Sequence, residues 1–317
     1  MGREKTKCIT SIGGQALIEG ILMRGPKTTE VAIRLSDGTI STEELSTNFI
    51  RDKYSIMRLP LLRGIAGFID SLTMGYKALS ISVDKAGVEE TEEPSKFDKW
   101  VEKTFGDKMM NAIMVASTVL GLLLAIALFF VLPTFVFNLI QNYAAGSAIA
   151  PWRSIIEGAM RIAIFIAYIV LCSRMPEIHR LFQYHGAEHK TIFCYENDEE
   201  LTVENVRRHS RFHPRCGTSF IVIMLILGII VGFFIPFANP FLRTFVKLLC
   251  IPLIVGVGYE FIRMCGRHDN TLTHIVSAPG LWVQRITTKE PDDSMIEVAI
   301  AAMKKVIPEN GEDKIGL

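Results

Sequence analysis

Hydrophobic and polar positions change period several times along the chain. In the first 58 residues the period is short. Thr29-Glu30-Val31-Ala32-Ile33-Arg34-Leu35 alternates polar with apolar, Asp37-Gly38 supplies a turn, and Thr39 to Leu45 reads as the return strand. Ahead of this hairpin, GGQALIEGILMRGP (Gly13 to Pro26) predicts a tight turn and a strand. Its glycines match neither a phosphate loop nor a dinucleotide fingerprint. Glu19 and Arg24 are the residues that can reach a site from this scaffold. From Leu59 to about Lys85 the pattern becomes helical, with Gly64, Gly67, Ser71 and Gly75 near one face, which permits close backbone approach to another helix. Arg63, Asp70 and Lys77 argue against a full crossing, so 59–108 is expected to hold an interfacial or docking helix, an acidic linker at Glu89 to Pro94, and an amphipathic lead-in at Phe97, Trp100, Val101 and Phe105.

Residues 109–280 then carry long apolar runs, predicting four spans near 112–137, 154–173, 218–237 and 243–262. No charge occurs between Lys108 and Arg153, and none between Arg215 and Arg243; each gap holds at least one helix of about 20 residues, enough to cross a bilayer. Glu157 and Arg161 stand four apart in the second run, a spacing at which they can satisfy each other as helix-to-helix glue. Pro252 predicts a kink in the fourth. The tail, 281–317, opens with Leu281, Trp282, Val283 and Ile286. A helix capped around Asp292 to Ser294 follows, running through Val306 toward Lys304 and Lys305 at its C-terminal end. The expected class is an α-helical membrane protein with a small β-containing cytoplasmic N-terminal segment and interfacial helices.

Composition agrees with that class: 317 residues, 49% hydrophobic and 21% charged, with a mean hydropathy of +0.31. The net charge of +1 gives no field that suggests nucleic acid as a partner. Positive residues crowd the segment 174–217 (Arg174, Arg180, Lys190, Arg207, Arg208, Arg211 and Arg215), whereas the loops after the first and third runs offer Arg153 and Arg243. The positive-inside rule places both termini and this long middle loop in the cytoplasm of a cell whose inner membrane the chain crosses. On that side thiols stay reduced, so a metal-ligand role for one of the six cysteines is expected before a disulfide.

The candidate chemistry lies in that middle loop. His185-Gly186-Ala187-Glu188-His189 puts two imidazoles on one face of a helix, with Ile178, Phe182 and Ile192 continuing the face. The spacing is H-x-x-E-H, the inverted form of a zinc-protease signature, in which two histidines bind metal and the glutamate handles protons. About two dozen residues on, His213-Pro214-Arg215-Cys216-Gly217 precedes the third apolar run. Both clusters fall at the same predicted membrane face, and Thr202 can cap a short helix, Val203 to Ser210, that folds the intervening loop back. A composite divalent-metal site of His185, His189, His213 and Cys216 follows, zinc being the expected ion. With Cys216 included the site is closed and structural; with Cys216 standing off, it is open, and Glu188 is placed to take a proton from water. Glu260 is a further carboxylate on the same side. His179 and His209 are expected at solvent or an interface.

The stretches GGQALIEGILMRGP, FQYHGAEHKTI, HPRCGTSF, GVGYE and PGLWVQRITTKEP resemble the YqhQ-like family of bacterial membrane proteins across nearly the whole chain. That resemblance implies a metal-dependent enzyme with His185, Glu188, His189, His213 and Cys216 at its motif positions and Glu19 and Arg24 behind them. Two functions remain in view. One is a metal-dependent hydrolase acting near the membrane; the other is a non-enzymatic scaffold, its His/Cys site structural, that binds another integral-membrane protein or complex. The lipid bilayer is a partner in either.

Overall fold

A computed structural model describes residues 7–46, 49–87, 116–267 and 270–315. Five strands precede the first long helix: β1 (Ile9–Thr10), β2 (Gly13–Leu17), β3 (Gly20–Arg24), β4 (Thr29–Arg34) and β5 (Ile40–Glu44). After a four-residue helix (Ile50–Lys53), the main helices among the described residues are α1 (Leu62–Ala86), α2 (Ala116–Tyr143), α3 (Arg153–Cys172), α4 (Pro176–Glu196), α5 (Val203–Arg208), α6 (Gly217–Phe233), α7 (Pro240–Leu249), α8 (Ile251–Arg267), α9 (Thr271–Thr287) and α10 (Asp293–Val306). A last short strand, β6 (Lys314–Ile315), pairs antiparallel with β1. The acidic linker, the amphipathic lead-in, the start of the first span and His268 lie outside the described residues.

The chain divides into two compact units. The first comprises Met1–Gly87, Ile169–Met224 and Val255–Leu317. Its centre is an antiparallel sheet in the order β2-β3-β4-β5. Gly38, at φ +85°, closes the β4–β5 hairpin where Asp37-Gly38 predicted it, and Asp37 Oδ1 accepts from the Thr39 N–H at 2.8 Å. Strands β3 and β4 are buried on both faces. Ile21, Met23 and Ala32 pack with α4 and α10, whereas Leu22, Val31 and Ile33 pack with Met74 and Ala78 of α1. Helices cover both sides, so period-two alternation separates two cores instead of core from water.

Small residues do place α1 close to its neighbours, one by one. An added Cβ on Gly64 would stand 2.6 Å from Tyr259 Cβ and 3.1 Å from Gly256 Cα, both in α8. Gly75 instead faces Gln15 of β2, and Ser71 turns its hydroxyl back to the Gly67 carbonyl at 2.8 Å. The tail is held by a helix that residue patterning missed. The apolar patch at Leu281 to Ile286 is the end of α9, which begins with an Asn270/Thr273 capping box and runs through Pro279. The α5 and α10 helices start at Thr202 and Asp292 as expected, each cap side chain accepting from a backbone N–H three residues on.

The second unit comprises Val88–Tyr168 and Leu225–Ile254. Gly158 of α3 lies against Ile229, leaving no room for a Cβ, so these helices touch backbone to side chain. Helix α7 is inverted relative to a water-soluble helix: Arg243, Thr244 and Lys247 are buried, while Phe241, Leu242, Phe245 and Leu249 are exposed. Glu157 pairs with Arg243 and Lys247 of that helix and not with Arg161, whose Nε donates to the Phe129 carbonyl at 2.8 Å. That carbonyl lies in a π-helical stretch of α2, Ala127–Val131.

The four expected spans reduce to two, or three. The helices Ala116–Tyr143 and Gly146–Cys172 are long and apolar enough to cross a membrane. The fourth run is broken: Pro240–Leu249 and Ile251–Cys265 meet at a 48° bend, the kink that Pro252 predicted, and count as one span only together. The third run forms a helix of 17 residues that stops at Phe233, shorter than the expected crossing. Its Phe234 to Asn239 connection, with Pro236, cannot extend it.

Candidate metal centre

Helix α4 carries His185, Glu188 and His189 through the interior of the first unit. From Gly186 to Cys194 every residue is buried, so the expected single seam is wrapped on all sides. Close packing begins at Gly186, where a Cβ would stand 2.1 Å from the Lys289 carbonyl oxygen. The extended segment after α9 therefore runs directly along the helix, and the Lys289 N–H donates to the Phe182 carbonyl at 2.8 Å. This contact brings the Thr287 carbonyl to His185.

Both imidazoles are oriented by backbone. His185 Nδ1 lies 2.8 Å from the Thr287 carbonyl oxygen, and His189 Nδ1 lies 2.6 Å from that of Arg211. A carbonyl only accepts, so Nδ1 of each ring carries the hydrogen and each Nε2 is left as a lone pair. The ring centroids are 4.4 Å apart, and His185 Nε2 lies 3.1 Å from Cys216 Sγ. His185, His189 and Cys216 each place a ligand atom within 4.8 Å of the others. A tetrahedral zinc ion separates its nitrogen and sulfur ligands by roughly 3.3–3.8 Å, given the usual bond lengths. The donor set suits such an ion by softness.

The sulfur is prepared by the start of α6. Thr218 directs its N–H at 3.5 Å and its hydroxyl at 3.3 Å toward Cys216 Sγ. Burial pushes this thiol up, but His189 and the Thr218 donors outweigh it and hold the group below its ordinary value. For His189, burial is the largest influence and lowers it, which keeps the ring neutral.

Glu188 turns to the sheet. A Cβ on Gly14 of β2 would sit 3.0 Å from Glu188 Cγ and Cδ and 2.6 Å from the Leu22 carbonyl, so only glycine lets the carboxylate lie here. The Gly14 N–H donates to it. Burial pushes Glu188 up to about 7, with neighbouring His185 pulling the other way.

The other predicted residues are placed elsewhere. His213 stacks beside His189 at 5.5 Å between centroids, but its Nε2 faces Glu196 at 3.8 Å and it does not join the three converging ligand atoms. Gln284 of α9 holds the His213 peptide from both sides, accepting from its N–H at 2.8 Å and donating to its carbonyl at 2.7 Å. Glu19, at φ +50° in the β2–β3 turn, accepts from Arg180 Nη2 at 2.6 Å and from the Tyr184 hydroxyl at 3.2 Å. Arg24 lies over the Phe49 ring at 4.0 Å. Glu260 accepts from Arg63 Nε at 2.7 Å, tying α8 to α1. His179 is exposed, as expected, whereas His209 is buried against Glu199 at 3.3 Å, against expectation. Gly14, Gly186, Thr287, Arg211 and Gln284 went unassigned in the sequence. The only signals were the three motifs that contain Gly14, Gly186, and Gln284 with Thr287; Arg211 lies outside them.

The arrangement defines a mostly helical chain with two to three apolar helices, a small N-terminal sheet and clusters of potential metal ligands. Over residues 59–309 it matches the family described as "Protein of unknown function (DUF1385)". It is also 33% identical over 305 residues to "Uncharacterized protein YqhQ" of Bacillus subtilis (strain 168), covering 96% of this chain and 94% of that one. The chain belongs to this DUF1385, YqhQ-like family. No solved structure matches it.

Proposed function

We infer that the chain is a metalloprotein of the inner membrane, with His185, His189 and Cys216 holding a divalent metal, zinc by donor type, at the cytoplasmic face. One observation carries this reading. Both histidines spend their Nδ1 hydrogens on backbone carbonyls, His185 Nε2 meets Cys216 Sγ at 3.1 Å, and His189 offers a ligand atom within 4.8 Å of both. A cation satisfies all three groups at once, and carbonyl-oriented imidazoles are the usual support of metal-bound histidine. Three protein ligands leave one position of a tetrahedral ion for another molecule, the pattern of catalytic rather than structural sites.

The reaction class we favour is metal-dependent hydrolysis of a peptide or lipid-linked substrate near the membrane. A metal held there supplies Lewis acidity. Glu188, held protonatable near neutrality by burial and anchored by the Gly14 N–H, accepts and returns the proton. His185 and Cys216 are half-buried and are the groups a substrate reaches first, whereas His189 is almost fully buried. His213 and Glu196 brace the loop behind them.

Metal content decides the site, and one substitution decides the chemistry. About one zinc per chain in protein purified without chelators, lost in the His185→Ala/His189→Ala double variant, is the expected result. Metal-free wild type removes the hydrolase. With metal present, Glu188→Gln is expected to retain the ion and fail to complement a deletion strain; full complementation removes the enzymatic reading.

A second reading, a scaffold for another membrane component, is favoured by α1, where Ile69, Leu72, Tyr76 and Leu79 form an exposed apolar stripe. Its Thr73 and Ser80 hydroxyls return to carbonyls four residues back, at 3.0 and 3.2 Å, which suits an apolar neighbour. A stoichiometric partner that co-purifies with wild type and with Glu188→Gln alike is the outcome specific to this reading.

A further inference from the structure

The described part of the second unit buries more positive charge than its one buried carboxylate balances. Glu157 of α3 is 1% exposed and accepts from Arg243 Nε at 3.0 Å and from Lys247. Arg161, one helical turn on, is 6% exposed. Among the described residues this group sets three cations against one carboxylate, within helices whose outward faces are apolar. Unbalanced charge in such surroundings is costly, and cations there are ordinarily neutralised.

The three cations are not equivalent. Arg243 is fully satisfied: besides Glu157 it donates to the carbonyls of Gly232, Ile235 and Phe237, near the end of α6, and to Ser154 Oγ at 3.3 Å. It acts as a cap for that helix. Lys247 has Glu157. Arg161 donates to one carbonyl, that of Phe129, and lies over the Phe130 ring at 5.3 Å, while its Nη2 is buried with no hydrogen-bond partner. Glu157 Oε1 and Thr244 Oγ1 are buried and unpartnered as well. A donor of positive charge, an acceptor of negative charge and a hydroxyl are thus all unsaturated within one cluster. A second arginine or lysine would not satisfy Arg161, and a simple anion would not satisfy Glu157.

We propose that this cluster binds a phosphate ester that also carries free hydroxyls, its phosphoryl oxygens on Arg161 and Lys247 and its hydroxyls on Glu157 Oε1 and Thr244. Guanidinium matches phosphate geometrically, and the hydroxyl supplies the donor the carboxylate lacks. A phosphatidylglycerol headgroup and soluble glycerol phosphate share this chemistry. The apolar surroundings favour the lipid over the soluble ester. The outward face of α7 is Phe241, Leu242, Phe245 and Leu249, a surface suited to acyl chains. The site is separate from the His/Cys centre and stands or falls without it.

The test uses the full chain in mild detergent and native mass spectrometry. Phosphatidylglycerol, phosphatidylcholine and glycerol 3-phosphate are titrated separately. Phosphatidylglycerol is expected to bind roughly tenfold more tightly than phosphatidylcholine, the effect of one charge-assisted hydrogen-bonded contact. Arg161→Gln should abolish that preference while Arg174→Gln, at an exposed position outside the cluster, keeps it. Glycerol 3-phosphate binding with the same dependence on Arg161 supports the site with a soluble ligand. Equal binding of the two lipids by wild type with no glycerol 3-phosphate bound overturns the proposal, and this comparison requires no variant to fold. A preference unchanged in Arg161→Gln overturns it too.

Discussion

A glycine in the first strand of the sheet and an aspartate before the last helix illustrate how much rests on single groups. Gly14 supplies both the space and the N–H that hold Glu188. Gly14→Ala places a methyl group 2.6 Å from a backbone oxygen that the sheet cannot move. Overpacking of this kind costs about 1–3 kcal/mol. The expected result is a lower denaturation midpoint together with displacement of Glu188. An unchanged midpoint would mean that β2 is not packed on α4 as described. Asp292 caps α10, its Oδ1 accepting from the Met295 N–H at 3.0 Å. Burial would raise this carboxyl, but the Ser294 hydroxyl, the Met295 N–H and Arg180 outweigh burial and hold it below its ordinary value. A depressed carboxyl stabilises the fold above its unfolded pKa, and the contribution disappears as pH falls through the folded value. Asp292→Ala should therefore cost about 1 kcal/mol at neutral pH. That difference should close in acid, below pH about 4; a gap that persists in acid would point to lost packing.

Elements with periodic patterns were readable in advance, and those defined by contact were not. The i, i+4 histidines, the Asp37-Gly38 turn and the Thr202 and Asp292 caps follow from local geometry that any environment would impose. The carbonyls of Thr287 and Arg211 that orient the two imidazoles leave no trace in side-chain identity. Helix α9 was hidden because Pro279-Gly280 reads as a break. Yet Gly280 is required by packing: a Cβ there would stand 2.3 Å from Ser219 Oγ. His213 was grouped with the other ligands because loop residues reveal their position but not their direction, and Gln284 and Glu196 draw it away. At this scale the sharpest test is Gly186→Ala. Its methyl would meet the Lys289 carbonyl at 2.1 Å, forcing the 287–291 segment off α4. A loss of about 1–3 kcal/mol in stability is expected. Bound metal should fall with it, because His185 loses its carbonyl. Stability lost with full metal retention would show that Thr287 does not orient the ligand.

For the whole molecule the open quantity is the number of crossings. Two helices are long enough alone, the pair α7 and α8 crosses only if its 48° bend is a break in one span, and α6 has 17 residues. If α6 and the bent pair both cross, there are four passes and both termini share a side. Strand β6 pairs with β1 and α10 packs on α4 and the sheet, so the termini share a side, and α6 and the bent pair either both cross or both stay on that side. The arginine-rich segment 174–217 lies on that same side, which the positive-inside rule predicts to be the cytoplasm. The inverted face of α7 favours four passes, since Phe241, Phe245 and Leu249 would meet lipid as part of a span. Reporter fusions test this directly. Fusions after residues 200 and 317 should report cytoplasm, and a fusion after residue 238 the opposite side. A C-terminal reporter outside, with residue 200 inside, would contradict the packing of α10 on α4 and the Thr287–His185 contact, and would remove the metal centre as described. A reporter at 200 outside would put Cys216 in an oxidising compartment, where a free thiol ligand is poorly maintained, and would remove the cytoplasmic metal site.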